Sequence, residues 1–309
     1  MERAGDLCNI AIFERAELMN TRTNGKFRNL PSDEQRRYLM VSRQMTLFAR
    51  DHAVPITFAP VLRTFPISTG RKNGGTVTLP LSLGKIDGAS GCVLRLDSSF
   101  FLVTAEHVLA EYEHRVSQGE ALNWQVGALP PFDPLPRVAW RGSSSRKAKD
   151  IVFVSLSEQE ANEIGGGRSY ITSGPTRWPP RAPEVGKTVL IAGFPNELRV
   201  VDGLFCVQRE STGATIKAGS LSAMLQVTTV GEGYFKCGFE YAELLDFGGQ
   251  SLPLSQLSAN IGGLSGGPVF AVENINYPFL GLVKQRFGAL EDADVIVVEA
   301  LDDLPSKFI

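Results

Sequence analysis

The chain reads as an all-β protein of two antiparallel barrels behind a helical N-terminal extension. Three observations carry that reading. From about Val54 onward the 309-residue sequence breaks into short apolar or alternating runs separated by glycine and proline. These runs are Thr76-Val77-Thr78-Leu79, Gly91 to Leu96, Phe100 to Thr104, Ile151 to Leu156, Thr188 to Ala192, Leu225 to Val230, Val269 to Val272, Phe279 to Val283 and Val295 to Val298. Short strands at this spacing, with turn residues between them, build sandwiches or barrels. The stretch that holds them, about 250 residues, is too long for one small barrel, so two are expected. Residues 1–52, by contrast, differ from the rest in texture.

Within that extension, Pro31-Ser32-Asp33-Glu34-Gln35 has the pattern of a capping box, with Ser32 as the cap and Gln35 three positions on. Leu39, Met40, Met45, Leu47 and Phe48 follow, with Arg36, Arg37, Arg43 and Arg50 between them. They predict an amphipathic helix of roughly 18 residues ending near Arg50. Its basic face either packs as a solvated face on the main body or meets an acidic docking partner or activator. The body then divides into barrel 1, about 53–172, and barrel 2, about 184–305. Gly165-Gly166-Gly167 and the stretch Ser173 to Pro183, with prolines at 175, 179, 180 and 183, form the linker.

Bulk properties exclude several functions. A net charge of -2 argues against nucleic acid as the main partner, because phosphate binding needs a basic excess. No run approaches the roughly 18–20 apolar residues of a membrane helix. Cys8, Cys92, Cys206 and Cys237 are widely spaced with no Cys-x-x-Cys pair, so no metal site or other cofactor is expected. Reduced thiols, an acidic N-terminus and an apolar run (Cys8 to Phe13) too short for a secretory segment point to the cytoplasm.

The chemistry concentrates in Ile261-Gly262-Gly263-Leu264-Ser265-Gly266-Gly267-Pro268. A serine hydroxyl attacks only when a base takes its proton and N–H donors meet the anion that forms. Alone, the run is equally a glycine-rich turn. Only His52, His107 and His114 can supply a base. His107 follows the apolar run Phe100 to Thr104, in a short Thr-Ala-x-His turn at a strand end, where it either caps the turn or acts on substrate. His114 lies among Glu111, Glu113 and Arg115, a solvated helix position, and His52 has no surrounding signature. Asp150, at the mouth of the Ile151–Leu156 run, is either a turn former or the acceptor that orients a histidine. The run also satisfies Gly-x-Ser-x-Gly, the elbow of another hydrolase fold, but that fold needs a histidine after its serine. Every histidine here precedes Ser265. The order His107, Asp150, Ser265, with separations of 43 and 115 residues, suits two residues on one barrel and the third on the other.

At these motifs, Thr104-Ala105-Glu106-His107, Asp150-Ile151-Val152 and Gly263-Leu264-Ser265-Gly266-Gly267-Pro268, the chain resembles the trypsin/chymotrypsin-like serine protease superfamily, above all its bacterial HtrA-type members and their intracellular relatives. The resemblance implies two six-stranded antiparallel β-barrels with the active site in the cleft between them. It implies a triad of His107, Asp150 and Ser265, and an oxyanion hole formed by the N–H groups of Gly263 and Ser265. It further places Ala259 at the base of the S1 pocket, with Lys284 and Arg286 on a strand that lines it. Ala259 favours a small apolar P1 residue; Lys284 and Arg286 either favour an acidic one or sit at a solvated strand end. The chain departs from secreted trypsins at Val108, where they carry cysteine, and at Leu264, where they carry the aspartate of the zymogen switch. No room follows residue 305 for a peptide-binding PDZ module. The expected function is an intracellular serine endopeptidase acting on protein or peptide substrates, controlled by a partner or by residues 1–52. The alternative is a catalytically weak, protease-like module that binds a peptide or partner.

Overall fold

The computed structural model describes residues 31–60, 87–142, 149–165, 170–172, 183–196, 199–207, 211–218, 220–239, 262–272, 279–290 and 293–300. The run Thr76–Leu79, most of the proline-rich linker and Ala259 lie outside the described residues.

Helix α1 spans Ser32–His52 and passes straight into strand β1, Ala53–Pro60. Its N-cap is Pro31 and no side chain caps it, so the capping-box expectation is corrected: Ser32 is already helical. Proline suits that place, since it has no N–H to leave unsatisfied. The first sheet adds β2 (Asp87–Leu96), β3 (Ser99–Thr104), β4 (Leu122–Val126), β5 (Val138–Arg141) and β6 (Val152–Leu156) in the order β4-β1-β2-β3-β6-β5. A two-residue strand, β7 (Ile171–Thr172), pairs parallel to β2. Helix α2 (Glu106–Ser117) follows β3, and helix α3 (Glu158–Gly165) follows β6.

The second sheet is a closed barrel of six strands, ordered β11-β12-β15-β14-β13-β8. Its strands are β8 (Thr188–Gly193), β11 (Leu221–Gly231), β12 (Tyr234–Phe239), β13 (Pro268–Ala271), β14 (Phe279–Leu290) and β15 (Ala293–Ala300). An antiparallel hairpin, β9 (Arg199–Val207) with β10 (Ser211–Ala218), interrupts the sequence between β8 and β11 and stands outside the barrel.

Three apolar layers hold this arrangement, and the two-residue period of a strand explains how. The first sheet, which curls as barrel 1 without closing among the described residues, covers Ala89, Val93, Leu102, Val152 and Val154, and the closed barrel 2 encloses Val189, Ile191, Val269 and Ala271. The alternate residues of the same strands, Cys92, Leu94, Val103, Phe153, Leu190, Ala192 and Phe270, form a third layer between the barrels. Met45 and Ala49 of α1 join this layer, so the helix is built into the seam. Beside them, the His52 ring lies tilted against Phe48 at 4.3 Å and meets Phe270 edge-on at 5.3 Å.

His52 is only 8% exposed, with Nδ1 at 2.8 Å from the Phe48 carbonyl. Burial lowers its pKa, more strongly than the Phe48 carbonyl and the charge of Asp51 raise it. Folded His52 therefore binds its proton less tightly than the unfolded chain does. Its stability contribution is full above about pH 6.5 and declines as pH falls through the folded value. The melting midpoint is expected to drop by a few degrees between pH 7.5 and 5.5, with a smaller drop in His52→Phe. An equal slope in both proteins would exclude His52 as the source.

Candidate active site

The first part of the site is a carboxylate gripping one residue twice. Strand β3 ends at Thr104, and α2 begins at Glu106 with no capping side chain from Ala105. A helix N-terminus exposes unpaired N–H groups and a partial positive charge. Asp150 answers both from across the sheet. Its Oδ1 accepts the backbone N–H of His107 at 2.9 Å, and its Oδ2 lies 2.7 Å from Nδ1 of the same residue. His107 thus sits on the first turn of a helix, not in the plain strand-end turn that the sequence suggested. Asp150 is buried and the His107 side chain is 43% exposed, so the imidazole's other edge faces outward.

Burial of Asp150 would raise its pKa. The side-chain hydrogen bond and charge of His107, the backbone bond and the nearby charge of Lys284 together outweigh that, and hold the carboxyl below its ordinary range. On the far side of α2, Glu106 is buried and accepts from Arg141 Nε at 2.8 Å, while Arg141 also donates to Glu113 at 2.7 Å. This pairing ties the first turn of α2 to β5. His114 is exposed on the last turn, as its charged neighbours indicated.

The second part is the loop that leads into β13. Leu264 is 2% exposed and packs in the core of barrel 2, so the residue ahead of the serine anchors through apolar contact. Gly263 has φ +88 and Gly266 has φ +84, values that side chains other than glycine rarely tolerate. Gly266 N–H donates to Val283 O at 2.7 Å, and Val283 N–H returns to Gly267 O at 2.8 Å, which fixes the loop to β14. The Ser265 hydroxyl is half-buried and donates to Lys284 O at 3.2 Å. Among the described residues nothing accepts from the N–H of Gly263 or of Ser265.

Contacts with β2 and β3 bring this loop to the His107 side. Ser90 N–H donates to Ser265 O at 2.9 Å. Its hydroxyl donates to Gly263 O at 2.6 Å and accepts from Phe194 N–H at 2.8 Å. Thr104 Oγ1 donates to the Ser90 carbonyl at 2.7 Å. A Cβ on Gly266 would stand 2.1 Å from Ser90 O, 2.2 Å from Thr104 Oγ1 and 3.0 Å from Ala105 N, two residues before His107. Gly266→Ala is therefore expected to cost about 3–4 kcal/mol in urea unfolding, from backbone strain and overlap together. A loss under about 1 kcal/mol would show that the barrels yield easily here.

The structure thus brings His107 onto Asp150 and seats Ser265 on the adjoining loop. Lys284 supplies a backbone carbonyl to Ser265 and a charge felt by Asp150. Ala259 and the side chain of Arg286 lie outside what is described. Sequence reasoning missed Ser90 and the turn at Asn196, whose N–H donates to Gly262 O at 2.8 Å. The small residues Gly88-Ala89-Ser90-Gly91 in an otherwise apolar strand were the available signal for Ser90.

No family model and no curated protein matches the chain. Among solved structures, it is similar to the thermostable serine protease AL20 from an extremophilic microorganism, at 12% identity and TM-score 0.35 over 81% of this chain and 91% of that one. It is also similar to the HtrA-type protease AlgW with a decapeptide, at 11% identity and TM-score 0.38 over 84% of this chain, but spans only 63% of that one. The protease Anisep from Arthrobacter nicotinovorans is similar at 13% identity and TM-score 0.35, over 82% and 90%. At such values these likenesses add nothing to what the positions of Asp150, His107 and Ser265 themselves carry.

Proposed function

We propose that the chain is a serine endopeptidase in which His107, Asp150 and Ser265 act as a triad. The observation that carries this reading is the pair of hydrogen bonds that His107 donates to Asp150 beside the loop that presents Ser265. With Nδ1–H held by the carboxylate, Nε2 is left as the basic nitrogen. It takes the proton as Ser265 Oγ turns from the Lys284 carbonyl and bonds to the substrate carbonyl carbon. It then returns that proton to the leaving amine as the C–N bond breaks. Water releases the acyl group by the same steps in reverse. The N–H groups of Gly263 and Ser265, unclaimed among the described residues, suit the developing oxyanion.

The preferred substrate is an extended peptide. Pairing of β13 with β14 ends at Leu282, and beyond it β14 pairs with β15 alone among the described residues. The β14 backbone from Gln285 onward, which among the described residues pairs only with β15, suits an added substrate strand. A small apolar P1 side chain fits Ala259 as the pocket base, with Lys284 and Arg286 as the means of accepting an acidic one. Cys92 and Cys237 are buried free thiols whose pKa burial pushes up, which is compatible with work in the reducing cytoplasm. Control falls to a partner or to the N-terminal segment, because α1 packs behind the nucleophile loop against Phe270. Among the described residues no helix is long and apolar enough to cross a membrane.

One observation favours a second reading. The Ser265 hydroxyl bonds to Lys284 O, an arrangement that also suits a latent or peptide-binding module. A fluorophosphonate probe separates the two. Labelling that peptide mapping assigns to Ser265, and that is lost in His107→Ala, is expected of the protease. A chain that stays unlabelled with every added peptide is the binding module.

A further inference from the structure

The oxyanion hole assigned above depends on which way two peptide planes face. A trans peptide carries its N–H and C=O on opposite sides. Gly262 O is held by Asn196 N–H at 2.8 Å, and this turns the Gly263 N–H to the other side. Gly263 O is held by the Ser90 hydroxyl at 2.6 Å, and this turns the Leu264 N–H away in the same manner. Between the two planes stands a glycine at φ +88, whose backbone has more freedom to turn than any other residue's. The orientation of its N–H is therefore decided by what grips the flanking carbonyls.

Ser90 is well placed to be one of those grips. It has no solvent exposure, so water cannot replace it. Its Oγ must accept from Phe194 N–H at 2.8 Å, which leaves its own hydrogen for Gly263 O. Phe194 and Asn196 belong to one short segment after β8, so the same hydroxyl also secures the turn that supplies the other grip. The site leaves no slack around this atom. A Cβ on Gly193 would stand 2.7 Å from Ser90 Oγ and 2.8 Å from Leu264 Cδ2.

We infer that Ser90 is a positioning residue for the oxyanion hole: its hydroxyl, from barrel 1, locks the Gly263–Leu264 peptide and the 194–196 turn of barrel 2 so that Gly263 N–H faces the reacting carbonyl. This rests on the protease reading above. Ser90 touches no substrate; it acts through Gly263. The hydroxyl is thus worth most when negative charge develops on the substrate oxygen, and little when substrate merely binds.

Ser90→Ala in the full chain tests this, using a chromogenic peptide that the wild type cleaves. The expected result is a kcat lower by about 10- to 100-fold with KM changed less than about threefold, since a misdirected donor loses part of what a deleted one loses. A peptide boronate, whose adduct with Ser265 places an oxygen in the hole, should lose affinity by the same factor. A non-reactive product peptide should bind as before, and the pH profile should keep its shape because the His107–Asp150 pair is untouched. Ser90→Cys, with similar volume and a weaker donor, should fall between wild type and Ser90→Ala. It also carries the test if the alanine variant melts below the assay temperature. Parental kcat and boronate affinity in both variants, or an equal loss of boronate and product-peptide binding, overturns the role of Ser90 alone. No Ser265-dependent turnover or boronate adduct in the wild type overturns the protease reading, and this inference with it.

Discussion

Ser265→Ala is expected to lower casein or peptide turnover by about 10⁵- to 10⁶-fold, the scale on which losing the nucleophile collapses a triad. The folded state should scarcely notice. The hydroxyl is half-buried and makes a single 3.2 Å bond to Lys284 O, worth about 1 kcal/mol or less at that length. The loop keeps its other ties: Ser90 N–H to Ser265 O, Gly266 N–H to Val283 O and the Leu264 side chain in the barrel core. Activity assays beside thermal melts check both halves. If the variant cleaves at the parental rate, Ser265 is not the nucleophile. If it unfolds, the hydroxyl matters to the loop more than its one bond suggests.

Asp150→Asn should cost about 10⁴-fold in kcat, because an amide in place of the carboxylate admits the wrong tautomer of the histidine. In this chain it should also cost stability. Asp150 accepts from two N–H groups of one residue, and an asparagine has one oxygen for the two positions. Its NH₂ would then oppose either His107 N–H or Nδ1–H, a mismatch of about 1–3 kcal/mol. Acid should mimic this loss. The folded carboxyl titrates below its ordinary value, so its contribution is complete above about pH 4 and is lost as pH falls through the lower folded value. Urea unfolding at pH 7 and near pH 3 measures it. Wild type should lose more than Asp150→Asn over that range, and equal losses would place the acid sensitivity elsewhere.

The parts of the fold that the sequence makes plain are those buried on both faces. Residues 91–96, 100–104, 151–156 and 188–192 form near-continuous apolar runs because alternate residues serve a barrel core and the layer between the barrels. In barrel 2, β8 is one of these runs and β11, β13, β14 and β15 were also legible as apolar runs, whereas β12, Tyr234–Phe239, was not. Strands with a polar face were harder to see. Leu122–Val126 alternates apolar and polar residues over only five positions, and Ala53–Pro60 carries two prolines, which read as breakers although the strand pairs on both sides. The hairpin β9–β10 contributes to neither barrel, so no core pattern announces it. In the candidate site, the order of His107, Asp150 and Ser265 was what the sequence offered. Ser90 and Asn196 were not legible, because their work is to hold backbone carbonyls, and any strand or turn can offer a hydroxyl or an N–H.

The layer between the barrels has a consequence for when activity can arise. Its side chains come from sequence positions as far apart as Met45 and Leu282, and the loop that carries Ser265 gains its two bonds to Val283 only once β14 is in place. Such distant partners meet late in folding. A chain still on the ribosome has residues 107 and 150 long before it has the strand that holds residue 265 in place. The proposed centre is therefore incomplete until β14 has been made and has paired, and a growing chain shorter than that is expected to lack it.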